Sequence, residues 1–287
     1  MTDVAYSNSI KGAIWMLAAS LCYVFSATLT RYLAGSYPTF ELTFLRCVFG
    51  VMILTPIILR GGVGQLKTKA FPLHCVRTLI TYFAILLWFY ATEHVPVGDF
   101  FAIQFVSPLF TIAVAALLLR EKVGLKSWLA AIVGFLGVLV IIRPGYIPIS
   151  LGIIAALGTA GAYAFVNTCI KVLSRYDSPT VMTFYVNVLI LPLSAIPAYL
   201  TWKTPQSEDW PILIGVALSA TMAQFCVASS ISLADARVVQ PMNFLRMPIA
   251  AAMGFMVFGE FPDLWTWVGA IIIFGAAWYA VQQGKKI

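Results

Sequence analysis

The chain is 287 residues long, 61% hydrophobic and only 10% charged, with a formal net charge of +7. Soluble domains carry roughly 25% charged residues, so composition excludes a water-soluble fold. The basic excess does not indicate a nucleic-acid binder, because no run of five or more Lys/Arg occurs and the charges lie scattered between apolar stretches. The cysteines (Cys22, Cys47, Cys75, Cys169, Cys226) form no C-x-x-C pair and suggest neither a disulfide framework nor a metal site. They read as small apolar packing residues.

A hydrocarbon core about 30 Å thick takes about 20 predominantly apolar residues per helix, and runs of that length recur along the whole chain. A membrane β-barrel would show short alternating segments instead. The first apolar run, Ala13 to Leu29, has no A-x-A-like site behind it and continues into Thr30, Arg31 and Tyr32, so it reads as a span rather than a cleaved signal. Taken in order, the predicted spans are 11–31, 39–59, 72–92, 97–119, 126–143, 148–170, 180–201, 211–233, 237–258 and 265–283. The expected fold is therefore an all-α integral membrane bundle of ten transmembrane helices. With ten spans the loops alternate and both termini share one side. Lys11, Arg60, Lys67, Lys69, Arg77, Arg120, Lys122, Lys126, Lys171, Arg175, Arg237, Lys285 and Lys286 fall on that side, and only Arg31, Arg143 and Lys203 on the other. Cytoplasmic loops carry the Lys/Arg excess, so both termini are expected in the cytoplasm.

The halves resemble one another at a spacing near 140 residues. Gly12, Tyr23, Phe25, Arg31 and Leu33 match Gly152, Tyr163, Phe165, Lys171 and Leu173. Thr39 and Pro56 match Thr180 and Pro197, Phe71-Pro72 matches Trp210-Pro211, and Glu121, Trp128 and Ala131 match Glu260, Trp267 and Ala270. An ordered series with so little drift reads as duplication. Residues 1–145 form a first five-helix repeat and 146–287 a second. Five is odd, so the second half enters the membrane from the opposite side, which gives the inverted repeat of many secondary transporters.

The run "SPLFTIAVAALLLREKVGLKSWLAAIVGFLGVLVIIRPG", echoed by "MPIAAAMGFMVFGEFPDLWTWVGAIIIFGAAWYAV", resembles the end of an EamA-type repeat of the drug/metabolite transporter superfamily. It carries the proline in the fourth span, the acidic residue closing it, and the Gly/Ala-rich fifth span. The resemblance implies a carrier in a bacterial inner membrane and leaves the substrate open, since members carry amino acids, nucleotide-like metabolites, vitamins or drugs. The opening "KGAIWMLAASLCYVFSATLTRYL" is similar to a bacterial branch that includes uptake carriers for S-adenosylmethionine and riboflavin.

Arg246 stands in the apolar stretch "NFLRMPIAAAMGF", nine residues into the ninth predicted span. At 1.5 Å per residue this is roughly 13 Å, close to the midplane. A charge there costs at least ~2.5 to 3.5 kcal/mol, so such residues face a bundle interior or a watery cavity. Asn243 shares its face, and the repeat sets Gln104 and Ser107 of the fourth span opposite the pair. One reading has Arg246 binding a substrate carboxylate or phosphate while Asn243, Gln104 and Ser107 supply hydrogen bonds. The other has it satisfying backbone carbonyls freed near Pro248. Arg46 lies about 10 Å from the end of the second span, where its stem can snorkel to the interface with Glu41 nearer the surface, or serve the site. Further cavity candidates are Tyr82 and Trp88 in the third span, Tyr163 and Asn167 in the sixth, Asn187 in the seventh and Gln224 in the eighth, with bundle packing as the plainer role. Gly134 and Gly137, with Ala130 and Ala131, and Gly269, Ala270, Ala276 and Ala277 give the fifth and tenth spans small-residue faces for close packing between the halves.

None of the eleven acidic residues falls mid-membrane. Small multidrug resistance proteins, distant relatives in the superfamily, use a buried glutamate to exchange protons for lipophilic cations, which this chain lacks. His74 and His94 sit at opposite faces, and no catalytic triad, metal spacing or phosphate loop appears, so an enzyme is not expected. The expected function is a secondary carrier of a zwitterionic or anionic metabolite, such as an amino acid, in the export direction. Uptake of S-adenosylmethionine or riboflavin is the alternative. No cofactor is expected; the expected partners are a small-molecule substrate and the bilayer, without nucleic acid, and a monomer suffices.

Overall fold

The structure is a computed structural model that describes residues 2–107, 110, 114, 125–143, 150–233 and 245–283. Every regular element among them is helical, as the bilayer requires: only helices and closed barrels satisfy the backbone without water. In chain order the helices are α1 (Thr2–Tyr32), α2 (Thr39–Gly61), α3 (Phe71–His94), α4 (Val97–Gln104), α5 (Leu125–Ile142), α6 (Leu151–Leu173), α7 (Pro179–Leu200), α8 (Trp210–Leu233), α9 (Arg246–Phe258) and α10 (Leu264–Gln283). Among the described residues six helices are long and apolar enough to cross a membrane, namely Ile10–Tyr32, Thr39–Gly61, Phe71–His94, Leu151–Leu173, Pro179–Leu200 and Trp210–Leu233. Shorter apolar helices cover Ile132–Ile142, Arg246–Phe258 and Leu264–Ala276.

Local chemistry sets the ends. Ser150 and Ser178 cap α6 and α7 by accepting from the backbone N–H of Ile153 and Val181, and Pro179 opens α7 where its missing N–H has no cost. Gly259, in the left-handed region at φ 68°, closes α9. Inside the spans, Thr28, Thr81, Thr159 and Thr183 each donate to the carbonyl four residues back, so these hydroxyls are satisfied without leaving their own helix.

Packing follows a regular scheme. The main pairs between the halves are α1 with α8, α5 with α10, α3 with α6, α2 with α7, α2 with α8, α3 with α7 and α4 with α9. Exchanging α1–α5 for α6–α10 in order leaves that set of pairs unchanged. Each pair joins one half of the chain to the other, so the core lies between the halves, with Val24, Ile85, Phe100, Ala156, Val186, Ile190 and Val216 at its centre.

The tightest contact is between α5 and α10. A Cβ added at Gly269 would meet the Gly137 carbonyl oxygen at 2.6 Å and Ile141 at 2.5 Å, and one at Gly137 would meet the Gly269 carbonyl oxygen at 3.0 Å. Backbone faces backbone there, so nothing soft can yield. Replacing Gly269 by Val is expected to separate the two helices at a cost of about 1 to 3 kcal/mol. A lowered thermal-unfolding midpoint of the detergent-purified protein checks this; an unchanged midpoint contradicts it.

Candidate functional site

Near the middle of the long helices lies a cavity of about 280 Å³ empty volume, lined by Tyr23 and Ser26 of α1, Arg46 of α2, Ile85, Trp88 and Phe89 of α3, Tyr163 of α6, and Ala220 and Gln224 of α8. Its walls are mainly aromatic. Tyr23 and Tyr163 meet edge to face with centroids 6.4 Å apart, and Trp88 is wedged against Phe89 and Phe100.

Three of its polar side chains hold buried atoms without a protein partner. Arg46 is 3% exposed, and its Nε and Nη2 find no acceptor. Ser26 Oγ and Gln224 Oε1 are likewise buried and unbonded. Of the two readings open for Arg46, the side chain does not reach out to the interface but turns inward between α1, α3 and α8. Its neighbour Glu41, in the first turn of α2, is fully buried; one carboxylate oxygen accepts from the Lys203 backbone N–H at 3.0 Å and the other has no partner.

Arg246 stands at the first turn of α9, beside this cavity. Its Nε donates to Ser20 Oγ at 3.2 Å, its Nη2 approaches Met16 sulfur at 3.7 Å, and its guanidinium lies 4.8 Å from the Tyr23 ring centroid. Tyr23 thus forms a cavity wall on one side and a cation–π platform on the other. Among the described residues, the ion pairs are Arg31–Glu260, His74–Asp177 and Arg143–Asp263, so neither Arg46 nor Arg246 is neutralised by a carboxylate.

The other sequence candidates divide. Trp88, Tyr163 and Gln224 line the cavity with Arg46. Gln104 does not: its amide donates to the Ala156 carbonyl at 3.0 Å and ties α4 to α6. Tyr82 donates to the Leu193 carbonyl at 3.3 Å, against α7. Asn187 donates to Thr183, and its oxygen sits where a Cβ on Gly50 would meet it at 2.8 Å, in the α2–α7 contact. Ser107 and Asn167 are half-buried outside the lining, and Asn243 lies outside the described residues. Sequence reasoning passed over Tyr23 and Ser26. The signal for Tyr23 was present, since the internal repeat sets it against Tyr163.

At each end of the bundle, polar contacts join the halves. Near the end of α1, Arg31 bonds Glu260 Oε1 at 2.5 Å and the Val95 carbonyl. Tyr37 bonds Asp209, and Arg143 pairs with Asp263. Burial alone would raise the Asp263 carboxyl, but the Thr266 N–H and hydroxyl and Arg143 outweigh it and hold it below the usual carboxylate range. At the opposite end Asp177 receives Thr68 Oγ1 at 2.7 Å and pairs with His74 at 2.9 Å, and Arg77 donates to the Met182 carbonyl at 2.9 Å.

Comparison with known proteins places this arrangement. Residues 10–143 and 150–282 each match the EamA-like transporter family. The chain belongs to that family. It is a multi-pass bacterial membrane transporter and not an enzyme. A riboflavin transporter of Vibrio cholerae is 31% identical over 285 residues, covering 97% of this chain and 96% of the relative. An S-adenosylmethionine uptake transporter of Rickettsia prowazekii is 27% identical, covering 98% and 96%. A crystal structure at 19% identity covers 98% of both chains with a TM-score of 0.66, which shows a shared fold.

An unpaired guanidinium in a bundle interior is costly unless a ligand meets it. Replacing Arg46 by Leu is therefore expected to raise the unfolding midpoint of the ligand-free protein by a few degrees while removing any stabilisation by substrate. A lowered midpoint would show instead that Arg46 holds the fold together.

Proposed function

We propose that the protein is a secondary carrier that moves riboflavin, or a flavin-like ring system, by alternating access through the central cavity. One observation carries the reading: an aromatic-walled cavity between the helices in which every buried unpartnered polar atom is a neutral oxygen or a guanidinium nitrogen, with no carboxylate in the lining. An uncharged ring system gains stacking on the Tyr and Trp faces and takes hydrogen bonds from Arg46 without an opposing charge. S-adenosylmethionine brings a sulfonium and an ammonium, which Arg46 and Arg246 would repel. The curated relative at 31% identity carries riboflavin by name.

A second reading keeps the zwitterionic or anionic metabolite of the amino-acid type, moved outward. It is favoured by Arg246 alone, whose guanidinium among the described residues touches Ser20, Met16 and Tyr23. It leaves the α-ammonium of an amino acid without an anionic partner.

The architecture we propose is ten spans in two inverted five-helix repeats, with both termini in the cytoplasm of a bacterium's inner membrane. Two successive family matches, helix pairs that map onto one another between halves, and the skewed Lys/Arg distribution support it. The contacts of Arg31 with Glu260 and of His74 with Asp177 then lie at opposite ends and act as the two latches that alternate. No nucleotide-binding motif is present, so the substrate gradient or a coupled ion supplies the driving force.

The test is counterflow in proteoliposomes preloaded with riboflavin, S-adenosylmethionine or an amino-acid mixture, with labelled compound outside. Riboflavin is expected to exchange and to lose at least tenfold in rate in the Arg46→Gln protein. Exchange of amino acids with no flavin movement would establish the second reading instead.

A further inference from the structure

The cavity holds four buried polar atoms without partners, and they are of two kinds. Arg46 Nε and Nη2 are obligate donors, Gln224 Oε1 is an obligate acceptor, and Ser26 Oγ can do either. The remaining lining is aromatic or aliphatic. Buried polar atoms left unbonded are each costly, and a site that retains several is built around something that bonds them.

We infer that these atoms recognise an imide edge, the carbonyl, N–H, carbonyl sequence along one side of a planar heterocycle. The inference rests on the flavin reading above and specifies which part of the ring is read. Arg46 donates both N–H groups to one carbonyl oxygen, Gln224 Oε1 accepts the imide N–H, and the Ser26 hydroxyl donates to the second carbonyl. All four unbonded atoms are then satisfied together, and the ring plane occupies the space between Trp88 and Tyr163. A carboxylate ligand would take the Arg46 and Ser26 donors and would leave Gln224 Oε1 facing another acceptor unless the carboxamide turned its NH2 inward. A hydrocarbon or lipophilic cation would leave all four unmet. The imide is the common ring edge that offers an N–H between two acceptors, so this donor and acceptor set distinguishes it from both.

Gln224 has the decisive role, because it alone reads the hydrogen. A site built to bond an N–H rejects an analogue lacking it far more strongly than an apolar pocket rejects an added methyl. The probes are riboflavin and 3-methylriboflavin, in which the imide hydrogen is replaced by a methyl group. Binding of each to the wild-type protein in nanodiscs is read from quenching of flavin fluorescence, and the same pair is titrated against Gln224→Leu.

Wild-type protein is expected to bind riboflavin at least tenfold more tightly than 3-methylriboflavin. Gln224→Leu is expected to lose about tenfold in riboflavin affinity and to bind the two flavins within threefold of each other. If wild type binds both equally, the imide assignment is overturned while the flavin carrier stands. If wild type discriminates and Gln224→Leu does so undiminished, Gln224 is not the acceptor and the assignment is likewise overturned. If riboflavin is not bound at all, the flavin reading falls and the imide assignment with it.

Discussion

The candidate site is organised around a guanidinium group kept inside an apolar bundle, with no ion pair to it among the described residues. Arg46 is enclosed by α1, α3 and α8, and two of its nitrogens have no acceptor. The bilayer gives such a group no solvent and charges several kcal/mol for it. A fold selected for stability alone would place an apolar residue there, as experience with buried ion pairs suggests. Its retention makes sense when the missing acceptor arrives with the substrate. Arg246 extends the same theme from the other half of the chain, resting on Ser20 and on the Tyr23 ring that also forms the cavity wall. Tyr23 therefore links the two arginines physically, one across its face and one across the cavity.

Around this centre the packing is arranged so that the halves meet but are not fused. Helices pair across the halves in a set that is preserved when the halves are exchanged. The tight Gly137–Gly269 contact holds α5 against α10 at the periphery, away from the cavity. Polar contacts between the halves gather at the ends, among them Arg31 with Glu260, Tyr37 with Asp209, and His74 and Thr68 with Asp177. Polar latches at the ends and an apolar seam between suit a rocking motion. A latch can break by exchanging partners with water, whereas the seam between is mainly apolar and is crossed by the hydrogen bonds of Gln104 to Ala156, Tyr82 to Leu193 and Arg246 to Ser20.

Much of the fold was legible in the sequence. Spans announce themselves by length and hydropathy, and the described helices begin and end within a few residues of the predicted ones where capping serines, prolines and Gly259 set the ends. The site was legible only in part. Counting residues along a helix gives depth but not the direction in which a side chain points, so an interface role and a site role both stayed open for Arg46, which turns inward, and Gln104 was placed in the cavity when it spends its amide on Ala156. Tyr82 and Trp88 lie six residues apart on α3, yet one faces α7 and the other the cavity. Tyr23 was visible as the repeat partner of Tyr163, but an aromatic in a span has packing as its plain role until its neighbours are known.

The most direct test of the central claim, that Arg46 is held unpaired for the substrate, is an experimental structure of the protein with riboflavin bound. The account predicts ring density between Trp88 and Tyr163, with a ring carbonyl oxygen within about 3.2 Å of the Arg46 guanidinium. Ring density elsewhere, with Arg46 bonded to a protein carboxylate or carbonyl, would contradict it.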